Sequence, residues 1–160
     1  SLRVYGCHEE AGFNTTDRVY EQLQKEEKAG LLELKTYVQF QQKAERVKNE
    51  LLAFLVEQKM QGKSVIGYGA AAKGNTLLNY AGVKPELLPF VCDAASSKQG
   101  NYLPGSHIPI FPPDYIKEQK PDYILILPWN LKNEIIDQLK YINEWGAKFV
   151  LPIPVLEIIQ

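Results

Sequence analysis

A glycine-rich segment, residues 67–76, carries the residues of this chain whose types and spacing are best suited to binding, and we call it the glycine turn. Gly67, Gly69 and Ala72 reproduce the GxGxxA spacing of a dinucleotide-binding turn, and Lys73 follows directly. Glycines let the backbone turn sharply and let a ligand approach it closely. A helix beginning here would direct its free N–H groups and the positive end of its dipole at an anion, most often a phosphate. The segment therefore predicts a phosphate site with Lys73 as an added charge, although the same spacing also occurs in tight turns that bind nothing.

Four residues further along the chain are candidate partners of this turn. Asp93 directly follows an apolar run. In dinucleotide sites an acid at this position binds a ribose hydroxyl, but an acid here can also cap a loop. Lys98 could pair with a phosphate or lie idle on the surface. Trp129 could stack on a base or sugar or pack at the rim of the core, and Asn130 could contact the ligand or cap the next helix. We predict all four as substrate-binding residues beside the turn.

Other reactive side chains form no convincing catalytic pair or metal site. His8 and His107 have no regular spacing to each other or to an acid, and the serines lack a nucleophile-elbow context. Cys7 and Cys92 are far apart and outside any CxxC spacing, so they predict neither a disulfide framework nor a zinc site and favour a reducing cytoplasm. We predict a chain that binds a ligand but holds no catalytic residue, metal or cofactor of its own.

Three classes of ligand compete for the glycine turn. A nicotinamide enzyme also needs a substrate domain with a proton donor, and 160 residues leave no room for one. S-adenosylmethionine sites usually carry an acid shortly before the glycines, where this chain has Lys63, Ser64, Val65 and Ile66. A nucleoside diphosphate needs only amide donors, a lysine and a polar crevice, so it is the ligand that we favour.

Charge and hydropathy exclude two classes of partner. The chain has 18 Lys and Arg against 19 Asp and Glu, a net charge of −1, whereas a surface that binds duplex nucleic acid needs a basic excess. No apolar run approaches the roughly 20 residues that span a bilayer. The first residues resemble neither a basic nor a long hydrophobic leader and have the character of a strand interior. We expect a cytoplasmic fragment of a longer protein, without nucleic-acid or membrane partners.

The elements that must position these residues follow an α/β pattern. Strands alternating with helices predict a Rossmann-like parallel sheet of order 3-2-1-4-5, in which the loops after strands 1, 2 and 4 open on one crevice. We predict one strand that enters the turn and five others: Leu2–Cys7, Leu87–Cys92, Ile108–Phe111, Tyr123–Leu127 and Phe149–Leu151. We predict one helix after Asp17 and three others: Gly74–Tyr80, Pro113–Glu118 and Lys132–Glu144.

A long N-terminal helical arm precedes this domain. Apolar residues recur at three- and four-residue steps from Leu31 to Met60, which predicts one continuous helix that ends at Gly62. Its apolar stripe could form a hairpin, the seam of a homodimer, or a brace on a domain outside this sequence. We divide the chain into the arm, residues 1–62, and the Rossmann-like domain, residues 63–160.

Three segments resemble the C-terminal domain of the S-adenosylmethionine-dependent nucleotide-sugar C-methyltransferases, enzymes of branched deoxysugar biosynthesis. They are residues 67–79, 98–110 and 127–130, and the first five residues resemble the joint to the family's catalytic domain. The resemblance implies that this chain holds the nucleotide and pyrophosphate of the substrate. It assigns that role to Gly69, Ala70, Lys73, Asn75 and Thr76, with Asp93 and Lys98 beside them.

The resemblance also implies what this sequence lacks. Family members have a zinc-binding domain and a domain that holds S-adenosylmethionine, and a base outside this segment deprotonates the carbon next to the keto group of a nucleotide-linked 4-keto sugar. We therefore expect the isolated chain to be inactive. Two other functions stay open: an NAD(P)-binding Rossmann domain of a redox or sensing protein, and a non-catalytic assembly module built on the long helix.

Overall fold

The computed structural model describes residues 2–160, which fall into one unit that ends at Gln42 and a second that runs from Lys43 to Gln160. The division lies before the predicted domain boundary between residues 62 and 63. The reason is that Leu51 and Leu55, in the second half of the long helix, are fully buried in the core of the second unit. The functional division at residue 62 stays a prediction.

The first unit consists of short elements. A 3-10 turn at Glu9–Ala11 is followed by helix α1 (Asp17–Lys28), helix α2 (Leu34–Val38) and the start of helix α3 (Phe40–Met60). The strand predicted at Leu2–Cys7 is wrong, because this segment pairs with no strand of residues 2–160 and an extended chain needs such a partner. The predicted helix after Asp17 is confirmed and begins at that residue.

The prediction of one continuous helix from Leu31 to Met60 is also wrong. The helix is interrupted at Gln39, between α2 and α3. Thr36 donates its hydroxyl to the carbonyl of Gly30 at 2.7 Å, and Tyr37 donates to the carbonyl of Leu31, so these side chains stabilise a separate turn. The apolar positions of the second half, such as Leu51 and Leu55, are buried, whereas Leu34 and Val38 of the first half are 77% and 68% exposed.

No residue between positions 2 and 42 is buried. On α1 the large apolar residues Val19, Tyr20 and Leu23 are 46%, 57% and 56% exposed, whereas the polar Gln22 and Glu26 are half-buried. An amphipathic helix usually buries its apolar stripe. The first unit therefore has no hydrophobic core of its own.

The second unit is a six-stranded sheet of order β3-β2-β1-β4-β5-β6. The first five strands in chain order are parallel, and the sixth is antiparallel to the fifth. This confirms the Rossmann-like order predicted for five strands, while the sixth strand was missed. The strands are β1 (Val65–Tyr68), β2 (Val91–Cys92), β3 (Ile110–Phe111), β4 (Tyr123–Ile126), β5 (Lys148–Leu151) and β6 (Glu157–Ile159).

The helices of the second unit cover both faces of this sheet. They are α4 (Ala72–Tyr80), α5 (Tyr115–Gln119) and α6 (Lys132–Leu139), besides the second half of α3. The helix predicted to reach Glu144 changes to a 3-10 helix at Lys140–Trp145, and the predicted loop after β4 contains a 3-10 turn at Trp129–Leu131. The end predicted for the long helix is confirmed: Gly62 has φ +72° and the amide of Lys63 donates to the carbonyl of Gln58 at 2.9 Å.

The core forms two layers because the central strands are buried on both faces. In one layer, Leu51 and Leu55 of α3 and Leu78 of α4 pack against Leu125 of β4. In the other, Ile66, Ile126 and Phe149 pack under the residues of α5 and α6. No helix within residues 2–160 is long and apolar enough to cross a membrane. The sheet thus fixes the carboxyl ends of β1, β2 and β4, where the predicted site residues lie.

Candidate functional site

The glycine turn after β1 is shaped by close packing. Gly67 is buried, and a Cβ built there would lie 2.7 Å from Cγ2 of Val91. Gly69 has φ +87°, a conformation that favours glycine, and its Cβ would lie 2.5 Å from Cδ of Pro128. The close approach that Gly69 permits is therefore an approach to Pro128, at the end of β4. These glycines position the turn against the neighbouring strands.

The third small residue of the turn is not the one that the spacing indicates. Ala72 is exposed, whereas Gly74 is buried and a Cβ there would lie 2.5 Å from Cβ of Leu127. Gly74 therefore allows α4 to pack on the end of β4, the role expected of Ala72. The interpretation of Ala72 as the packing residue was wrong, because the helix begins at Ala72 and turns that side chain outward.

Three successive amides of the turn donate within the protein. The amide of Gly69, which was predicted to hold the pyrophosphate, donates to the carbonyl of Cys92 at 2.7 Å. The amide of Ala70, predicted to hold the pyrophosphate, donates to Oδ2 of Asp93 at 2.6 Å. The amide of Ala71 donates to the carbonyl of Gly69 at 2.8 Å. The N-cap residue of α4 is Ala71, which has no side-chain acceptor for the first turn. The next amides, from Ala72 to Gly74, open the helix and have no intrahelical acceptor, so they are the donors available to an anion.

We use the name Asp93 cluster for Asp93, Lys98 and the amides of Ala70 and Ala95. The side chain of Asp93 accepts hydrogen bonds from all three partners, at 2.6 Å from Ala70, 2.8 Å from Ala95 and 3.0 Å from Nζ of Lys98. Asp93 is 7% exposed, and Gln99 also donates to its carbonyl. The carboxylate therefore ties the loop after β2 to the glycine turn. Its predicted contact with a ribose hydroxyl stays a prediction.

We use the name Lys73 cluster for Lys73, Trp129 and Asn130. Nζ of Lys73 lies 4.6 Å from the ring centroid of Trp129 and donates to Oδ1 of Asn130. Both partners lie in the 3-10 turn after β4, while Lys73 lies in the first turn of α4. The sheet order thus brings Lys73 into contact with two other predicted site residues that lie more than fifty positions further along the chain.

Asn75 and Thr76 belong to neither cluster. Thr76 is exposed and donates its hydroxyl to the carbonyl of Ala72 at 3.0 Å, a bond within its own helix. Oδ1 of Asn75 is buried without a hydrogen-bond partner in the part of the chain that is described. Their predicted contacts with the substrate stay predictions, and Thr76 has an evident structural role.

Burial alters the acid–base properties of two groups below the turn. It raises the pKa of Tyr68, with further contributions from Tyr141 and Asp93, so the phenol stays protonated. Burial raises the pKa of Cys92 to about 12, so this thiol is no nucleophile near neutral pH. Across the described residues, no group of three or more His, Cys, Asp or Glu is placed to hold a metal ion.

Two surface cavities lie away from the crevice. One of about 300 Å³ is lined by Lys117, Lys120, Tyr141, Glu144 and Trp145, beside α5 and the 3-10 helix before β5. The other, of about 160 Å³, lies beside the end of α3 and the start of β1, where Lys59 donates to the carbonyl of Glu86. Neither includes a residue of the Asp93 cluster or the Lys73 cluster.

The known proteins that this chain resembles identify its family. The family described as the C-methyltransferase C-terminal domain matches residues 1–154. The chain belongs to this family. C-methyltransferase NovU from Streptomyces niveus is 37% identical over 160 residues, a match that covers 100% of this chain and 38% of NovU. The resemblance seen in the three sequence segments is thus confirmed, and the chain spans well under half the length of this relative.

One solved structure with a similar chain is UDP-D-quinovosamine 4-dehydrogenase from Vibrio fischeri. It has a TM-score of 0.46 and 22% sequence identity, and the match covers 61% of this chain and 93% of that chain.

Sequence reasoning missed two residues of this C-methyltransferase domain that shape the site. Pro128 lies against Gly69, and Gly74 lies against Leu127. Both belong to segments that were singled out, but their contacts join two loops that are distant in sequence. The signal that could have found Gly74 was a glycine within a run of helix-forming residues, where it costs about 1 kcal/mol unless packing requires it.

Proposed function

We propose that this chain is the substrate-binding domain of a sugar C-methyltransferase and that it holds the diphosphate of a nucleotide sugar at the start of α4. The observation that carries the proposal is the placement of Lys73, in the first turn of α4, whose ammonium group is held by Trp129 and Asn130. A fixed cation beside free helix N-terminal amides is suited to a doubly charged linker.

The structure supports a revised set of anion donors. Ala70 was predicted to donate its amide to the pyrophosphate, but that amide is bonded to Asp93. The amides of Ala72 and Lys73 and the ammonium of Lys73 are the donors that we assign to the diphosphate. The nucleoside would then extend along the crevice toward the loop after β2.

The other requirements of methyl transfer would be met outside this chain. We propose that the methyl donor S-adenosylmethionine, a structural zinc ion and the base that deprotonates the sugar belong to the part of a longer methyltransferase that this chain does not cover. Two observations support this placement: among residues 2–160 no group of three or more His, Cys, Asp or Glu is placed to hold a metal ion, and the side chain of Asp93 already accepts three hydrogen bonds. The substrate would be a nucleotide-linked 4-keto sugar in deoxysugar biosynthesis. We also propose a cytoplasmic location, which the free thiols of Cys7 and Cys92 support.

Isothermal titration with thymidine diphosphate and uridine diphosphate tests this function. We expect the wild-type chain to bind at least one of them and Lys73→Ala to weaken that affinity about tenfold, the loss of one charge-assisted contact. Lys140→Ala removes an exposed lysine outside the crevice and is the matched control. The proposal would be contradicted if neither thymidine diphosphate nor uridine diphosphate binds. Enhanced NADH fluorescence would instead favour the NAD(P)-binding alternative.

A further inference from the structure

We propose that Trp129 and Asn130 are positioning residues that hold the ammonium of Lys73 ready for the diphosphate, and that they do not themselves contact the ligand. This inference rests on the proposed function. It changes the interpretation of both residues, because the sequence predicted direct contacts, with Trp129 stacking on a base or sugar. It also explains why two side chains from the 3-10 turn after β4 converge on one atom of α4.

The anchoring of Trp129 supports this assignment. The side chain is half-buried and packs against both layers of the core, so its ring is fixed by the sheet. One face of the ring carries Nζ of Lys73 at 4.6 Å, within the range of a cation–π contact. A base stacked on that face would have to displace the lysine. The ring is thus better placed to hold Lys73 than to receive a ligand.

The chemistry of the two partners supports the same conclusion. An indole ring and a carboxamide oxygen attract an ammonium group without cancelling its charge. In the described part of the chain, Lys73 has no carboxylate partner, unlike Lys98, which pairs with Asp93 at 3.0 Å. A lysine loses considerable rotamer freedom when it binds a ligand. Holding Lys73 in place beforehand removes part of that loss and leaves the full charge for the diphosphate.

The opposite interpretation is that Trp129 and Asn130 keep Lys73 away from the ligand until it is displaced. The two interpretations predict opposite changes in diphosphate affinity. If the partners position Lys73, removing either one weakens diphosphate binding. If they withhold Lys73, removing either one strengthens it. A direct contact between Trp129 or Asn130 and the ligand makes a third prediction, a loss of affinity that does not depend on Lys73.

A double-mutant cycle separates these outcomes. Thymidine diphosphate is titrated into the wild-type chain, Asn130→Ala, Trp129→Leu, Lys73→Ala and the two doubles that include Lys73→Ala. We expect Asn130→Ala and Trp129→Leu each to weaken binding about threefold, the scale of an exposed cation–π contact or hydrogen bond, and to change it by under about 1.5-fold once Lys73 is absent. Equal losses in both backgrounds would overturn the inference, as would a gain in affinity. Trp129→Phe, which keeps an aromatic ring, should recover part of the loss.

A second measurement needs no ligand and guards against a variant that folds poorly. In the wild-type chain the ring current of Trp129 should shift the ε-methylene protons of Lys73 upfield, and Trp129→Leu should remove that shift. Asn130 is exposed, so Asn130→Ala should keep the rest of the spectrum unchanged. Lys73 protons at ordinary chemical shifts would overturn the positioning role whatever the ligand. An absence of diphosphate binding together with the ring-current shift would instead count against the proposed function.

Discussion

The Asp93 cluster and the Lys73 cluster flank the same glycine turn, and each contains one lysine in a different electrostatic setting. Lys98 lies 3.0 Å from a carboxylate that is almost fully buried and that also accepts two backbone amides. Lys73 is held by an aromatic ring and an amide oxygen. The charge of Lys98 is therefore balanced within the protein, whereas the charge of Lys73 is available to an anion.

This difference indicates that the Asp93 cluster and the Lys73 cluster have separate roles. The Asp93 cluster joins the loop after β2 to the turn and so builds the site, in a buried setting where unpaired groups are costly. The Lys73 cluster presents a charge at the surface. Variants of the first cluster should mainly change the free energy of unfolding, and variants of the second should mainly change ligand affinity.

The largest expected effect is a loss of stability when the Asp93 cluster is disrupted. Asp93→Ala should lower the free energy of unfolding by about 4 kcal/mol, because it leaves the amides of Ala70 and Ala95 without an acceptor and Lys98 without a partner. Urea denaturation followed by circular dichroism measures this loss. The control is Asp114→Ala, which removes the exposed ion pair with Lys117 and should cost under about 1 kcal/mol. Similar losses of stability in the two variants would contradict the structural role of the Asp93 cluster.

A somewhat smaller loss is expected where the turn meets β4. Gly69→Ala should cost about 3 kcal/mol, since it combines a positive φ with a Cβ 2.5 Å from Pro128. Gly82→Ala is the matched control: Gly82 has φ +68° but no atom within 4 Å of its Cβ position, so only the backbone cost of about 1 kcal/mol applies. The same denaturation measurement compares them. If both glycines cost the same, the contact with Pro128 contributes nothing to the turn.

The sheet could be predicted from the sequence because its signals are local and repeated. Continuous apolar runs, such as the one at β4, mark strands buried on both faces, and amphipathic helices between them require parallel order. Strand β6 was missed because Glu157–Ile159 is short, follows two prolines and lies with its residues mostly exposed. The break at Gln39 was missed because it depends on hydrogen bonds from Thr36 and Tyr37 rather than on apolar spacing.

The site was only partly predictable. Residues could be assigned to the crevice because the strand order places the loops after β1, β2 and β4 at one edge, which is how Lys73, Trp129 and Asn130 come together. The sequence could not predict which amides are free to bind a ligand. Whether the amide of Ala70 is already hydrogen-bonded depends on its distance to the side chain of Asp93. Sequence spacing identifies a turn, but tertiary contacts decide which of its donors face outward.

The two lysines should show opposite effects on stability and affinity. Lys73→Ala should weaken binding of thymidine diphosphate about tenfold while changing the free energy of unfolding by under about 1 kcal/mol. Lys98→Ala should change affinity by under about twofold, because Asp93 already balances its charge, and should cost about 1 kcal/mol of stability. Titration calorimetry and urea denaturation on the same preparations measure both quantities. A larger affinity loss for Lys98→Ala than for Lys73→Ala would reverse the assignment of the two sides.

The smallest expected effect is a change in the labelling rate of one thiol. Cys92 is fully buried directly before Asp93, and burial raises its pKa to about 12, whereas Cys7 is exposed. The thiolate is the reactive form, so Ellman's reagent at pH 8 should label Cys7 quickly and Cys92 only after unfolding. Cys7→Ser should then show no fast phase.

Combined with Cys7→Ser, Asp93→Ala should make Cys92 react measurably faster, because the loop after β2 loses its attachment to the turn and opens more often. Asn130→Ala in the same background should leave the rate unchanged, since the Lys73 cluster presents a charge and does not hold that loop. Equal acceleration in the two variants would mean that both clusters build the turn. The difference between them would then lie only in the charge that Lys73 carries.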